Sequence, residues 1–284
     1  MKSVLAVVLL CAAPAAAETR SGSFASASLG RDVGYAVQLP PSYATSTKKY
    51  PVVYALHGLF EGGRFWEQRG LAAQLDALWA KAELPEFLVV AVDGGNSFYV
   101  NGPSGKYQDL VTRDAPAHVE ATYRVIPGRA GRALLGISMG GYGALRIAFA
   151  QPELFAAVAT HSAMLLEKPP TAEEGARTGQ MSAFHGVFGD PIDLALWAAS
   201  DPLALAQKVD PKAVPALYFD CGSEDRYGLA AGNQELHRRL EARGIPHEFA
   251  LHPGDHGYAY VQAVLGRSLG FIADAFRKAG TIPK

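Results

Sequence analysis

The sequence predicts an α/β fold, with a mostly parallel central sheet and helices on both faces. Three observations carry this. Apolar runs of strand length alternate with amphipathic stretches of helix length. Several of the strand runs are apolar at every position, as strands covered on both faces are. The runs end in glycine or small polar residues, the punctuation of short connections. At 284 residues, 49% hydrophobic and 19% charged, the chain can bury a full core, and one large domain over residues 18–284 is the expectation.

The elements follow in order. Residues 23–39 alternate small, polar and apolar side chains around Gly30 and predict a hairpin, closed by Pro40-Pro41. "YPVVYALHG" is a continuous apolar run ending in glycine, a buried strand. "LAAQLDALWAKA" has helical periodicity, and "FLVVAVDGG" is a second buried strand. "LVTRDAPAHVEATYRV", residues 110–125, predicts a helix with Pro116 in its first turns. "RALLGIS" is a strand, and "MGGYGALRIAFAQ" a helix stopped before Pro152. "FAAVATHS" and "PALYFDCG" are further strands, separated by an irregular insert over 164–209 that is expected to form a lid. "GNQELHRRLEARG" is a helix, "HEFALHPG" a strand, and the chain closes on the helix "YAYVQAVLGRSLGFIADAFRKAG".

The first 17 residues follow a different grammar. "MKSVLAVVLLCAAPAAAETR" holds a basic residue, an apolar run and the small-residue end Ala15-Ala16-Ala17. This predicts a signal peptide cleaved after Ala17, and hence an exported protein, periplasmic or secreted. The run is too short for a stable transmembrane helix, and no stable membrane insertion is expected. Leu9 and Leu10 precede Cys11, where a lipidation site would want small residues. After cleavage only Cys221 remains, so no intrachain disulfide is expected. A formal net charge of −1 offers no field for nucleic acid.

Chemistry centres on "LGISMGG". Ser138 lies between Gly136 and Gly140, after a strand and before a helix, in the strand–turn–helix context of a nucleophile elbow. Alone, the glycines could equally mark a tight turn. A serine hydroxyl needs a base. His256, in the Gly-bounded loop "HPGDHGYAY", is the candidate, with His252 in reserve. His237 reads as solvated beside Arg238 and Arg239, and His247 as a packing or surface residue of its strand. The acid should follow "PALYFD". Asp225 lies far enough out on its loop to orient an imidazole, with Asp220 and Glu224 as alternatives. An oxyanion hole would draw on the N–H of Met139, after the serine, and of Leu59, in "LHGLFEGG". His57 is expected to brace that loop.

"YPVVYALHGLFEGG", "LGISMGGYGAL", "YFDCGSED" and "HPGDHGYAYV" resemble the esterase D-like family of α/β-hydrolases, and "HVEATYRV" fits the same pattern. That family includes feruloyl and acetylxylan esterases, S-formylglutathione hydrolase and the mycolyltransferases. The resemblance covers residues 35–275. It implies the α/β-hydrolase fold, Ser138, Asp225 and His256 as triad, Leu59 and Met139 as oxyanion donors, and no metal or organic cofactor. Many members carry an aromatic residue, often Trp, two positions after the histidine. Tyr258 stands there in this chain, a change expected in specificity.

Substrate contacts are sought at the carboxyl edge of the sheet. Phe98 and Tyr99 in "DGGNSFYVNG" would stack on an aromatic acyl or sugar group, or anchor their loop. His161 and Ser162 would line the pocket, or His161 would be a core histidine. Phe184, His185, Phe188 and Trp197 in the insert would serve a lid or a small helical cap. The expectation is an exported serine carboxylesterase acting on a small-molecule or polysaccharide-linked ester of acetyl, feruloyl or other short acyl type. Acyl transfer to a sugar or lipid alcohol is the alternative, and an inactive binding relative a third reading. An exported chain argues against the glutathione-dependent activity. The sequence is silent on oligomeric state.

Overall fold

The computed structural model describes residues 16–171, 173 and 181–283. The strands are β1 (Glu18–Ser26), β2 (Arg31–Leu39), β3 (Val52–Leu56), β4 (Leu88–Val92), the small ribbon β5 (Asn101–Gly102) and β6 (Gly105–Lys106), β7 (Arg132–Ile137), β8 (Ala157–His161), β9 (Ala216–Gly222) and β10 (Glu248–His252). Eight of them form one sheet in the order β1-β2-β4-β3-β7-β8-β9-β10. From β4 to β10 every neighbour is parallel; β2 pairs antiparallel with β1 and β4.

The fully apolar runs are explained by cover on both faces. In β3, Val52, Tyr54 and Leu56 join one core, and Val53 and Ala55 the other. The first core is closed by α2 (Ala115–Thr122), α3 (Met139–Ala150) and α6 (Leu229–Ala242). The second is closed by α1 (Leu71–Ala80) and α7 (Tyr258–Lys278). Within the sheet, β4, β3, β7 and β8 have no exposed residue, so alternation is absent there and length alone marks the strands.

The order also fixes where chemistry can sit. From β3 the chain steps outward to β4, then crosses back to β7 on the other side of β3. The adjacent carboxyl ends of β3 and β7, paired at Leu56 and Gly136, form a topological switch point. The loops carrying Leu59 and Ser138 leave the sheet there.

Three expectations change in detail. The hairpin begins at Glu18 rather than residue 23, because the first six residues of β1 are exposed on an edge and carry no apolar alternation. The helix predicted over 110–125 instead runs without a break from Tyr107 to Thr122 and is widened by a π-helical turn. Leu110–Asp114 form a π-helical turn, α2 ends at Thr122, and Val125 bridges Tyr50 in extended backbone. Pro116 has no N–H for the ladder, and the π-helical turn sits directly before it, with the Ala115 N–H donating to the Leu110 carbonyl. In the insert, α4 (Met181–Phe188) and α5 (Leu194–Ser200) pack inward: Phe184 meets Phe98 at 4.9 Å and Phe188 meets Trp197 at 4.9 Å, all within the first core. Residues 172 and 174–180 of the expected lid, and 1–15 of the expected signal peptide with Cys11, lie outside the described residues.

Candidate active site

Ser138 occupies the turn between β7 and α3 with φ 56° and ψ −114°. A bulky backbone neighbour cannot follow so sharp a turn. A Cβ on Gly136 would lie 2.2 Å from the Gly140 carbonyl oxygen, and one on Gly140 would lie 2.1 Å from that of Leu56. Both glycines are therefore steric requirements. The strain of a left-handed serine is held by its surroundings. Its N–H donates to the His161 carbonyl at 3.0 Å, and its carbonyl accepts from the N–H groups of Tyr142 and Met164, each at 3.0 Å.

His256 comes from the loop between β10 and α7. Its Nε2 lies 3.1 Å from Ser138 Oγ, and its Nδ1 lies 2.8 Å from Asp225 Oδ2. A carboxylate only accepts, so Nδ1 carries the proton and Nε2 is left to accept from the serine hydroxyl. Asp225 itself is fixed from behind: Oδ1 accepts from the Tyr227 N–H at 3.0 Å. Burial pushes its carboxyl up, but the His256 hydrogen bond and charge and the backbone N–H groups outweigh that and leave it below the ordinary value. The geometry can pass a proton from Ser138 to His256 while Asp225 holds the ring.

The loops of Asp225 and His256 are also fastened to each other. Asp255 Oδ1 accepts from the N–H groups of His256 at 2.6 Å and of Arg226 at 2.8 Å, and its other oxygen pairs with the Arg226 guanidinium. Arg226 first, then the His256 N–H, hold the Asp255 carboxyl down at about 2. Sequence reasoning missed this clamp, although Asp255 and Arg226 directly adjoin the two candidate residues.

On the other side of Ser138, His57 is fully buried. Gly94 N–H donates to its Nε2 at 2.9 Å, so its Nδ1 carries the proton and donates to the Gly58 carbonyl at 2.7 Å. Burial holds its pKa below the ordinary imidazole value. With both nitrogens engaged, it braces the loop. The next residues present Leu59, while the Phe60 N–H is taken by Asn96 Oδ1 at 2.7 Å. Among the described residues, neither the Leu59 nor the Met139 N–H has a hydrogen-bond acceptor. Met139 opens α3, so its N–H also carries the positive end of that helix's dipole.

A half-open cleft of about 190 Å³ lies over Ser138 and His256, walled by Leu59, Phe60, Tyr227 and Tyr258 among others. Tyr258 lines it. Arg69 stacks over its ring at 5.0 Å, and its hydroxyl is buried without a partner among the described residues. Ser162 lines it too. Phe98 and Tyr99 do not. Both are buried with left-handed backbone, Phe98 among Tyr142, Phe184 and Phe188, Tyr99 with its hydroxyl donating to the His57 carbonyl at 3.3 Å. They anchor the loop, as one of the two readings had it. No described residue of 164–209 lines the cleft.

His161 belongs to a second Ser–His–Asp array. Its Nδ1 lies 3.0 Å from both oxygens of Asp220, and its Nε2 lies 3.0 Å from Ser268 Oγ on α7. Tyr218 and Tyr260 donate their hydroxyls to Asp220 at 2.8 and 2.9 Å. All three array members are fully buried. His161 is thus a core histidine, and Asp220 is occupied away from His256. Glu224 is exposed on its loop, and His252 stays on β10. His237 and His247 pair with each other at 2.7 Å. No cluster of three metal-ligating side chains and no helix long and apolar enough to cross a membrane occurs among the described residues.

Known proteins agree with this architecture. An esterase of Mycobacterium tuberculosis is 30% identical over 257 residues, which cover 82% of this chain and 54% of that protein. The chain thus spans about half the length of that curated relative. An acetyl esterase of Caldicellulosiruptor saccharolyticus is 25% identical over 79% of this chain and 81% of its own length. Among solved structures, a ferulic acid esterase superposes with a TM-score of 0.77 at 26% identity, over 92% of this chain and 99% of that one. The family model named Esterase, described as "Putative esterase", matches residues 26–272, and with nearly all of its sheet and both candidate loops inside that span the chain belongs to this family, on an α/β-hydrolase fold.

Proposed function

We propose that the chain is an exported serine carboxylesterase that works through Ser138, His256 and Asp225. The observation that carries this is the continuous Oγ–Nε2–Nδ1–Oδ2 line, 3.1 and 2.8 Å, opening into a cleft. His256 takes the hydroxyl proton as Ser138 Oγ bonds to the ester carbonyl carbon. The Leu59 and Met139 N–H groups receive the oxyanion, an arrangement worth on the order of 10²–10³ in turnover per donor. His256 then protonates the departing alkoxide, and water, activated by the same imidazole, releases the acid from the acyl-serine. Asp225 keeps the ring in one tautomer and balances the imidazolium that forms.

The relatives named acetyl esterase and ferulic acid esterase support an acetyl or feruloyl ester as substrate. Export rests on the sequence of residues 1–17; strand β1, starting at Glu18 and paired there with Leu39, fits a mature chain that begins at that point. Residues 18–284 then form one catalytic domain, with 164–209 as an insert. The test is hydrolysis of p-nitrophenyl esters of increasing acyl length, methyl ferulate and acetylated xylan by the mature chain, with Ser138→Ala as control. Turnover lost in the variant is expected. Turnover of no ester by the wild type would overturn the reading. Ester formed on an added sugar or glycerol in place of free acid would turn it to acyl transfer.

A further inference from the structure

Three large apolar side chains are exposed among the described residues: Phe60 at 64%, Leu194 at 66% and Tyr227 at 39%. Two of the three rim the cleft over Ser138. Their loops leave β3 and β9, strands on either side of β7, which carries the serine. Neither side chain is placed there by default. Phe60 has φ 63°, a backbone state that bulky residues avoid, and it is held in that state by Asn96 Oδ1 on its N–H. Tyr227 is pinned by its N–H on Asp225 Oδ1, and its ring stands edge-on to His256 with centroids 4.9 Å apart. Exposed aromatics fixed by strained or specific backbone contacts at one mouth are a built apolar rim.

The direction of the reaction gives the rim a side. His256 Nε2 must reach the leaving oxygen, so the alcohol portion of the ester lies beside the imidazole, where Tyr227 stands. Building on the esterase reading, we propose that Tyr227, with Phe60 completing the rim, selects esters whose alcohol presents a flat apolar face, as a phenol or a sugar ring does. Aromatic side chains hold both kinds of ring by the same face contact.

The test compares three acetates that share one acyl group: ethyl acetate, phenyl acetate and a fully acetylated methyl glycoside. Each is measured with wild type, Tyr227→Ala, Tyr227→Phe and Phe60→Ala. In Tyr227→Ala, kcat/KM for one or both ring alcohols is expected to fall about three- to tenfold relative to ethyl acetate, chiefly through KM. Phe at 227 should restore it, Phe60→Ala should show a smaller loss of the same sign, and the ester that loses more identifies the ring. An equal fall for all three esters would show that Tyr227 only props His256, and would overturn the rim. Unchanged ratios in Tyr227→Ala would overturn it too, while the turnover itself kept the esterase reading intact. A wild type active on none of the three would remove the esterase reading and the rim together.

Discussion

The molecule holds two Ser–His–Asp arrays built from the same residue types at nearly the same distances. Ser138, His256 and Asp225 are linked at 3.1 and 2.8 Å, and Ser268, His161 and Asp220 at 3.0 and 3.0 Å. Their surroundings differ in every respect that matters to chemistry. Ser138 sits on a strained turn at a helix N-terminus beside a cleft, whereas Ser268 lies inside α7, where its hydroxyl also reaches the Leu265 carbonyl at 2.9 Å. Asp225 accepts from His256, the Cys221 thiol and the Tyr227 N–H, whereas Asp220 accepts from His161 and from two tyrosine hydroxyls, one of them on α7. The comparison teaches that a triad is defined by access and by a place for the oxyanion, with side-chain distances alone insufficient.

The sealed array has a part to play in the open one. The His161 carbonyl receives the Ser138 N–H, the Asp220 carbonyl receives the Ser162 N–H at 2.8 Å, and Tyr260 lies four residues after His256. Asp220 thus ties the strand ends under the serine to the helix that follows the histidine. On this account one array reacts and the other holds its frame.

Substitutions can break this contrast, and they rank by expected effect. Ser138→Ala should cut kcat by about 10⁶-fold with thermal stability nearly unchanged, as read by ester turnover and a melting curve. Asp225→Asn should cost about 10⁴-fold in kcat, because the ring loses its fixed tautomer. Asp220→Asn should act the other way round. It breaks a buried, fully engaged hub, and denaturant titration should show a loss of about 3–5 kcal/mol, with kcat per folded molecule far less affected than in Asp225→Asn. Ser268→Ala should cost about 1–3 kcal/mol for the unpaired His161 nitrogen and leave kcat near that of the wild type. A 10⁴-fold loss of kcat in Ser268→Ala would erase the distinction between the arrays.

The smallest expected effect concerns pH. The Asp225 carboxyl lies lower in the folded than in the unfolded chain, so the stability it contributes is present above the unfolded value near 3.8 and is lost as pH falls through the folded one. The stability difference between the wild type and Asp225→Asn should therefore narrow on acidification from about pH 5 to pH 2.

Much of this was legible in the sequence, for stated reasons. The elbow could be read because Gly136 and Gly140 bracket the serine within one strand–turn–helix unit, although the contact that dictates Gly140 comes from Leu56 at the end of β3. Asp225 was separable from Asp220 because Asp220 belongs to the strand and Asp225 to the loop that follows it, and the structure gives each a separate histidine. What failed to show depends on contacts distant in sequence. The left-handed backbones of Phe98 and Tyr99, which turn their rings into the core, are set by Tyr142, Phe184 and the His57 loop. Ser268 looked like any polar residue on a helix until α7 laid it against His161. The helix around Pro116 was legible, but the π-helical turn directly before the proline was not.

The most direct test of the central claim is covalent. The protein over residues 18–284 would be treated with a fluorophosphonate, which phosphonylates an activated serine, and the modified peptide located by mass spectrometry in the wild type, Ser138→Ala and Ser268→Ala. The account predicts one adduct on the Ser138 peptide, present in the wild type and Ser268→Ala and absent in Ser138→Ala. An adduct on Ser268, or one that survives Ser138→Ala, would contradict it.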